Sequence, residues 1–190
     1  MATAEEIHRR VPVADAHADS LMWNRDLLTQ SDEGHVDFPR LKEAGVKLQC
    51  FTVVTRGLPF IGGFPVFTAR RKWPVQARQS EWARCTWQLD RLADFCRRSA
   101  GGASIAGTAS ELAKNLAAER LSALVGIEGA HAIEGQVDRV AELWRRGVRF
   151  MGLTHLSNNE LGGSSFPLMG NKPLSPLGHE VLEAMVGVGM

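Results

Sequence analysis

The sequence predicts an α/β fold of parallel strands with covering helices, and three observations support this. Short apolar runs alternate with segments whose apolar residues recur every three or four positions, which is typical of β/α units. Four of the apolar runs are each followed by a helical pattern, and polar residues able to bind metal follow three of them. No repeat or interdomain linker is evident, so residues 1–190 are predicted to form a single domain.

The composition is ordinary for a globular domain and excludes several classes of protein. The chain has 22 Lys and Arg residues against 21 Asp and Glu residues, which gives a formal net charge of +1. Hydrophobic residues make up 44% and charged residues 23%, which argues against a disordered chain and a polybasic nucleic-acid binder. No stretch has the apolar length of a membrane span, and the N-terminus lacks the apolar core of a signal peptide. We therefore expect a cytoplasmic protein.

The strands are predicted from β-branched and apolar runs that end in Gly or polar residues. They lie at 11–16, 46–55, 122–127 and 149–154. Helices are predicted from apolar spacing and capping residues at 38–44, about 75–98, 110–120 and about 137–148, and at a last segment that begins with Ser175 as N-cap and Pro176.

Two further predictions concern the region between the second and third strands. The segment from Arg56 to Pro74 carries three prolines and a Gly-Gly pair, so we expect a functional loop or a locally disordered segment. In the helix at about 75–98, the charged residues are assigned to a solvated face; they are Arg84, Asp90, Arg91 and Arg97.

The first candidate site is the His-x-Asp triplet after the first strand. His17 and Asp19 are two residues apart, so on an extended backbone both side chains project from the same face. An imidazole beside a carboxylate provides half of a tetrahedral or five-coordinate site for a divalent metal ion. A helix cap or a surface turn is the alternative interpretation of this triplet.

The third and fourth strands end in two more candidates. Glu128 directly follows a buried apolar run, where a carboxylate is unfavourable unless it is paired or binds a metal. Its alternative role is a strand-end acid neutralised by an Arg or by backbone amides. His155 could bind metal, hydrogen-bond a substrate carbonyl, or be a partly exposed loop residue. His131 is predicted to lie in the loop beyond Glu128, and the remaining histidines, His8, His35 and His179, are predicted to be surface or structural residues.

The combination favours a metal-dependent hydrolase. Active sites of parallel α/β folds lie at the carboxyl ends of the strands, and three strands here present polar ligands at that end. Motifs of other chemistries are missing: there is no GxGxxG after a strand, no Walker loop, no GxSxG elbow and no HExxH.

The order of these motifs resembles the renal or membrane dipeptidases, which are zinc metallopeptidases with an amidohydrolase-like barrel. The resemblance extends over almost the whole chain. The matching segments are Asp15–Asp19 (D-x-H-x-D), His35–Leu41, Gly126–His131 (G-[IV]-E-G-x-H), Gly147–His155 (G-V-R-Y-x-T-L-T-H) and Leu174–Val181. It implies that the chain forms the first four β/α units of a (β/α)8 TIM barrel, a half-barrel with parallel strands and covering helices.

The resemblance also implies a role for each site residue. His17 and Asp19 would bind a first zinc ion, and Glu128 would bridge two zinc ions and act in catalysis. His155 would bind the substrate, which would be a dipeptide, and help hold the tetrahedral intermediate. The two metal ions would activate the attacking water and stabilise the developing negative charge.

The sequence departs from the family in length. Family members continue into a second half that supplies two histidines for the other zinc ion, an Arg and an Asp, whereas this sequence ends at Met190. At most one zinc site would then be nearly complete. We expect the exposed strand edges of a half-barrel to promote self-association or pairing with a complementing C-terminal half.

Two alternatives to a dipeptidase remain open. The first is a non-catalytic half-barrel that acts only in assembly or interaction, in which His17, Asp19 and Glu128 need not converge. The second is a hydrolase of the related amidohydrolase barrels, a group that usually begins with H-x-H. This chain has His17-Ala18-Asp19 instead.

Overall fold

The computed structural model describes residues 3–57 and 63–190, which form five strands and seven α-helices. The strands are β1 (Val13–Ala18), β2 (Val46–Val54), β3 (Ala103–Ile105), β4 (Leu121–Glu128) and β5 (Val148–Met151). The helices are α1 (Ala4–Arg10), α2 (Phe38–Glu43), α3 (Gly63–Arg70), α4 (Glu81–Arg98), α5 (Ala109–Ala117), α6 (Arg139–Arg145) and α7 (Pro176–Val188).

All strand pairs in the sheet are parallel, as predicted. β1 pairs with β2, and β2 pairs with β4 along its length, so that Val54 lies opposite Glu128. The other side of β4 is shared: β3 pairs with its beginning and β5 with its end. The four predicted strands are therefore neighbours in chain order, as successive strands of a barrel are. The short strand β3 is not predicted from the sequence.

Alternation along β4 separates the core from the site. Its odd-numbered residues from Leu121 to Ile127 belong to the main hydrophobic core under the helices. The even-numbered residues, which include Gly126 and Glu128, project to the opposite face. On that face the ring of Phe150 lies against Gly126: a Cβ atom at Gly126 would come within 1.9 Å of the ring. The glycine therefore makes room for the phenylalanine, whose side chain stays partly exposed.

Several helix ends follow the sequence prediction. Ser175 caps α7 by accepting a hydrogen bond from the amide of Gly178, with Pro176 in the first position. Asp37 caps α2 in the same way, and Gly45 follows that helix with a positive φ of 71°. Helix α1 is not predicted; it begins with a capping box between Thr3 and Glu6. None of the helices in the described ranges is long and apolar enough to cross a membrane.

The prediction of a loop or disordered segment for Arg56–Pro74 is wrong for the eight residues of α3. Residues 63–70 form helix α3, while residues 58–62 lie outside the described part of the chain. Phe64 of α3 is buried in a second hydrophobic cluster with Val54 and Trp73. The indole of Trp73 donates to the carbonyl of Met22 at 3.0 Å, which joins this segment to the loop after β1. Aromatic burial therefore overrides the turn-forming composition.

The prediction for the helix at about 75–98 needs two corrections. The helix begins only at Glu81, because Ser80 adopts an extended conformation and caps it, and residues 76–78 form a separate 3-10 turn. Two charged residues assigned to the solvated face are also largely withdrawn from solvent. Arg84 is buried and donates to the carbonyl of Thr55 at 3.2 Å.

Arg91 of α4 holds the loop that follows the His-x-Asp triplet. Its guanidinium donates to the carbonyls of Leu21, Trp23 and Arg25 at 2.7, 3.0 and 2.6 Å. It also lies 4.6 Å from the centre of the Trp87 ring. Burial lowers the pKa of Arg91 to about 10, so the group stays charged at neutral pH. A single, partly buried cation therefore satisfies three carbonyls of one loop.

We expect Arg91→Met to lower the free energy of unfolding by about 3 kcal/mol, because three carbonyls lose a charged donor. The control is Arg97→Met on the same helix; the Arg97 side chain is 73% exposed and, among the described residues, pairs with Asp94 alone. That substitution should cost less than about 1 kcal/mol. Urea unfolding followed by circular dichroism measures both values, and equal losses would contradict the assignment.

Candidate metal centre

The carboxyl ends of β1 and β4 bring three metal-ligand side chains together. His17 lies in β1, Asp19 follows that strand directly, and Glu128 is the last residue of β4. One nitrogen or oxygen atom from each of the three side chains lies within 4.8 Å of the other two. More than 100 residues separate the triplet from Glu128 along the chain, so the sheet register creates this proximity.

The imidazole of His17 is the centre of the cluster. Its Nε2 atom is 3.3 Å from Oδ1 of Asp19 and 3.8 Å from Oε2 of Glu128. The spacing predicts that His17 and Asp19 share an extended backbone. They do not, because β1 ends at Ala18 and Asp19 begins the 3-10 helix that follows. The side chains nevertheless meet. The His17 side chain is 52% exposed, so the cluster is open to solvent on one side.

Thr52 of β2 is a site residue that the sequence analysis missed. Its buried hydroxyl donates to Oδ1 of Asp19 and lies 3.4 Å from Nε2 of His17. It thereby fixes the orientation of the Asp19 carboxylate from the neighbouring strand. In the sequence, Thr52 is an ordinary β-branched residue within a strand, and only the pairing of β1 with β2 distinguishes it.

The electrostatics of the cluster favour a bound cation. Burial raises the pKa of Glu128, and the nearby carboxylate of Asp19 raises it further, while the histidines His155 and His17 lower it. A carboxylate held this close disfavours the ionised form of Glu128. A divalent cation between the two carboxylates would remove this penalty.

His155 lies beyond the strand at which it was predicted, because β5 ends at Met151. Its Nε2 atom is 3.0 Å from Oε1 of Glu128. Its Nδ1 atom is buried and has no hydrogen-bond partner among the residues that the structure describes. A proton on Nδ1 would therefore be unsatisfied, which favours the tautomer that carries its proton on Nε2, the nitrogen that faces Glu128.

Gly129 allows the close approach of the two loops at the site. Its φ is +86°, and a Cβ atom here would lie 2.8 Å from Nδ1 of His131 and 3.0 Å from Cβ of His155. Any larger residue would therefore be strained in backbone and crowded in space. Ser164 completes the arrangement by donating its hydroxyl proton to the carbonyl of His155.

His131 supports the loop that carries His155. It belongs to the 3-10 turn Ala130–Ile133, is buried, and its Nε2 atom is 3.0 Å from the hydroxyl of Ser157. Burial lowers the pKa of His131 to about 4, with a smaller contribution from the charge of Arg56. The ring is therefore neutral at physiological pH. The other three histidines, at positions 8, 35 and 179, are exposed, as predicted.

Comparison with known proteins decides the family. Residues 1–190 match the membrane dipeptidase family, peptidase family M19. The chain belongs to this family. Its membership confirms the resemblance found in the sequence and the assignment to the metallopeptidases.

Individual members of the membrane dipeptidase family show the same relation. The chain is 28% identical to dipeptidase aclJ of Aspergillus oryzae over 98% of its own length and 45% of aclJ. It is 30% identical to dipeptidase verJ of Clonostachys rogersoniana over 95% of its own length and 47% of verJ. The chain thus spans about half the length of the curated relatives it matches.

A solved structure confirms the fold. A metallopeptidase from Rhodobacter sphaeroides, liganded with a phosphinate mimic of the dipeptide L-Ala-D-Ala, superposes with a TM-score of 0.73 at 22% identity. The superposition covers 94% of this chain and 56% of that one. The predicted α/β class with parallel strands is therefore confirmed. The chain matches about half of a TIM-barrel dipeptidase.

We expect the chain to become less stable as the pH is lowered, because His131 titrates at a lower pH in the folded protein than in the unfolded chain. The ordinary pKa of 6.5 is lowered to about 4 in the folded protein. Between these values the unfolded chain binds a proton that the folded chain does not, so stability is complete above pH 6.5 and is lost as the pH falls. The loss is at most about 3 kcal/mol.

Urea unfolding at pH 7 and at pH 4.5 measures this loss. The variant His131→Gln should show a smaller pH dependence than the wild type over the same interval, because its side chain does not titrate. The exposed residue His179 provides the control, and His179→Gln should keep the wild-type dependence. A wild-type dependence in His131→Gln would refute the buried neutral state.

Proposed function

We propose that the chain carries the first-metal and bridging ligands of a zinc-dependent dipeptidase. The observation that carries this proposal is the convergence of His17, Asp19 and Glu128, with donor atoms within 4.8 Å of one another. Membership of the membrane dipeptidase family supports the reaction, and the dipeptide mimic bound to the Rhodobacter protein supports the substrate class. The geometry argues against a half-barrel in which these three residues lie far apart.

The donor set fits zinc. Imidazole nitrogen and carboxylate oxygen are ordinary zinc ligands, and catalytic zinc sites commonly have three protein ligands and one open position. The exposed side of His17 leaves such a position accessible. A zinc ion bound here would act as a Lewis acid and lower the pKa of a water molecule. His17, Asp19 and Glu128 would hold the ion, and Thr52 would orient Asp19.

Glu128 connects the metal ligands to the substrate-binding residue. Its Oε2 atom faces His17 and its Oε1 atom lies 3.0 Å from Nε2 of His155. We infer that His155 can donate its Nε2 proton to a substrate carbonyl or to the negative oxygen that develops from it. The remaining ligands of a second zinc ion would come from a complementing half of the barrel.

A non-catalytic role in assembly is the second candidate, and the exposed sheet supports it. In the described ranges, β1 pairs only with β2 and β5 pairs only with β4, so each leaves one strand edge unpaired. Phe150 of β5 is 38% exposed on the open face of the sheet. We propose that a second copy of the chain or a complementing C-terminal half covers this face.

We expect the chain to bind zinc, and Glu128→Gln to weaken that binding by at least about 100-fold, because loss of a ligand costs more than loss of its supporting hydrogen bonds. Competition with a chromogenic chelator measures the affinity. His35→Gln changes an exposed histidine outside the cluster and should leave the affinity unchanged. In a completed barrel the same Glu128→Gln change should abolish dipeptide hydrolysis. Full zinc affinity or full activity in this variant would refute the role of Glu128.

A separate expectation concerns self-association. Phe150→Glu should weaken self-association of the chain by at least about tenfold, because it would place a charge on the open sheet face that a second copy would cover. Val186→Glu on α7 is the matched control, since Val186 is 76% exposed. Sedimentation velocity over a concentration series measures the association. A wild-type chain that stays monomeric throughout would contradict the proposed coverage by a second copy.

A further inference from the structure

A second feature of the site is an apolar cavity beside the metal ligands. It has a volume of about 350 Å³ and opens onto Glu128 and His155. Its apolar lining consists of Met22, Val54, Phe64, Phe67 and Leu156. Two other cavities lie beside Lys47, at the opposite ends of the strands, and are remote from the cluster.

Helix α3 forms one wall of this cavity and is held in place by aromatic contacts. The ring of Phe64 packs edge-on against Trp73, with 5.8 Å between centroids, and Phe67 packs edge-on against Trp23 at 5.9 Å. The hydrogen bond from Trp73 to the carbonyl of Met22 joins this wall to the loop after β1. The wall is therefore formed before any ligand binds, which reduces the entropic cost of binding.

The charges around the cavity do not favour an ionic ligand in it. Arg56 is the cation of its lining, and its guanidinium donates to Glu81, so its charge is already neutralised. The carboxylates of Asp19 and Glu128 stand at the end assigned to the metal. Apart from these charged groups, His155 and two glycines, the described residues that line the cavity are apolar, so its body favours an apolar side chain over a polar one.

We propose that this cavity binds one bulky apolar side chain of the substrate, so that the chain selects dipeptides containing a large aliphatic or aromatic residue. The inference rests on the proposed function, because that function makes a dipeptide the occupant. The volume lies near the lower end of the roughly 300–1,000 Å³ typical of small-molecule sites, which suits a side chain rather than a larger ligand.

The test compares two pairs of dipeptides that differ only in the polarity of one side chain. Leu-Gly is compared with Asn-Gly, and Gly-Leu with Gly-Asn, because Leu and Asn have similar shapes and neither is charged. Ligand-observed NMR titration of the zinc-loaded chain measures binding without turnover. We expect the Leu member of at least one pair to bind about tenfold more tightly, since burial of a leucine side chain is worth more than this factor.

Variants of α3 then locate the selectivity. Phe67→Glu should abolish the preference for Leu, because it places a charge in the cavity wall. Val66→Glu, at the neighbouring exposed position of the same helix, should retain it. Equal affinities within both pairs, or a preference that survives Phe67→Glu, would overturn the proposal, and so would the absence of binding by all four dipeptides. Failure of the proposed function would be seen separately, as a wild-type chain that binds no zinc.

Discussion

Two carboxylates at short range, Asp19 and Glu128, are the constraint around which the site is arranged. Burial raises the pKa of Glu128 and the Asp19 carboxylate raises it further, while imidazoles on both sides oppose that effect. A hydroxyl from β2 holds the Asp19 carboxylate. Each of these groups stands on a different strand or loop, so the cluster exists only when the sheet is in register. The site therefore depends on the register of the sheet. A register shift of one residue in β4 would turn Glu128 toward the hydrophobic core under the helices.

Parallel register explains how much the sequence could predict. The ligands were identifiable because each follows an apolar run, and the carboxyl ends of parallel strands meet at one edge of the sheet. The composition of a strand does not show which of its polar side chains contacts a residue on the neighbouring strand. Thr52 was missed for that reason. Strand β3 was missed because three residues carry too little periodicity to distinguish them from a turn.

Contacts between residues distant in sequence account for the other errors. Arg91 has the spacing of a surface residue on an amphipathic helix, yet it binds a carbonyl 70 residues earlier in the chain. Helix α3 begins at the second residue of a glycine pair and contains a proline, and its position depends on the packing of Phe64 and Trp73 in one cluster. Local propensity cannot include energies that arise only when such segments meet.

The contacts of Arg91 link helix α4 to the loop that follows the candidate metal ligand Asp19. The loop after Asp19 owes its shape to a guanidinium that belongs to α4 and is sandwiched near the rings of Trp87 and Phe95. Displacement of this helix would therefore move the backbone that directly follows a metal ligand. The packing of α4 and the position of that backbone thus depend on each other through one side chain.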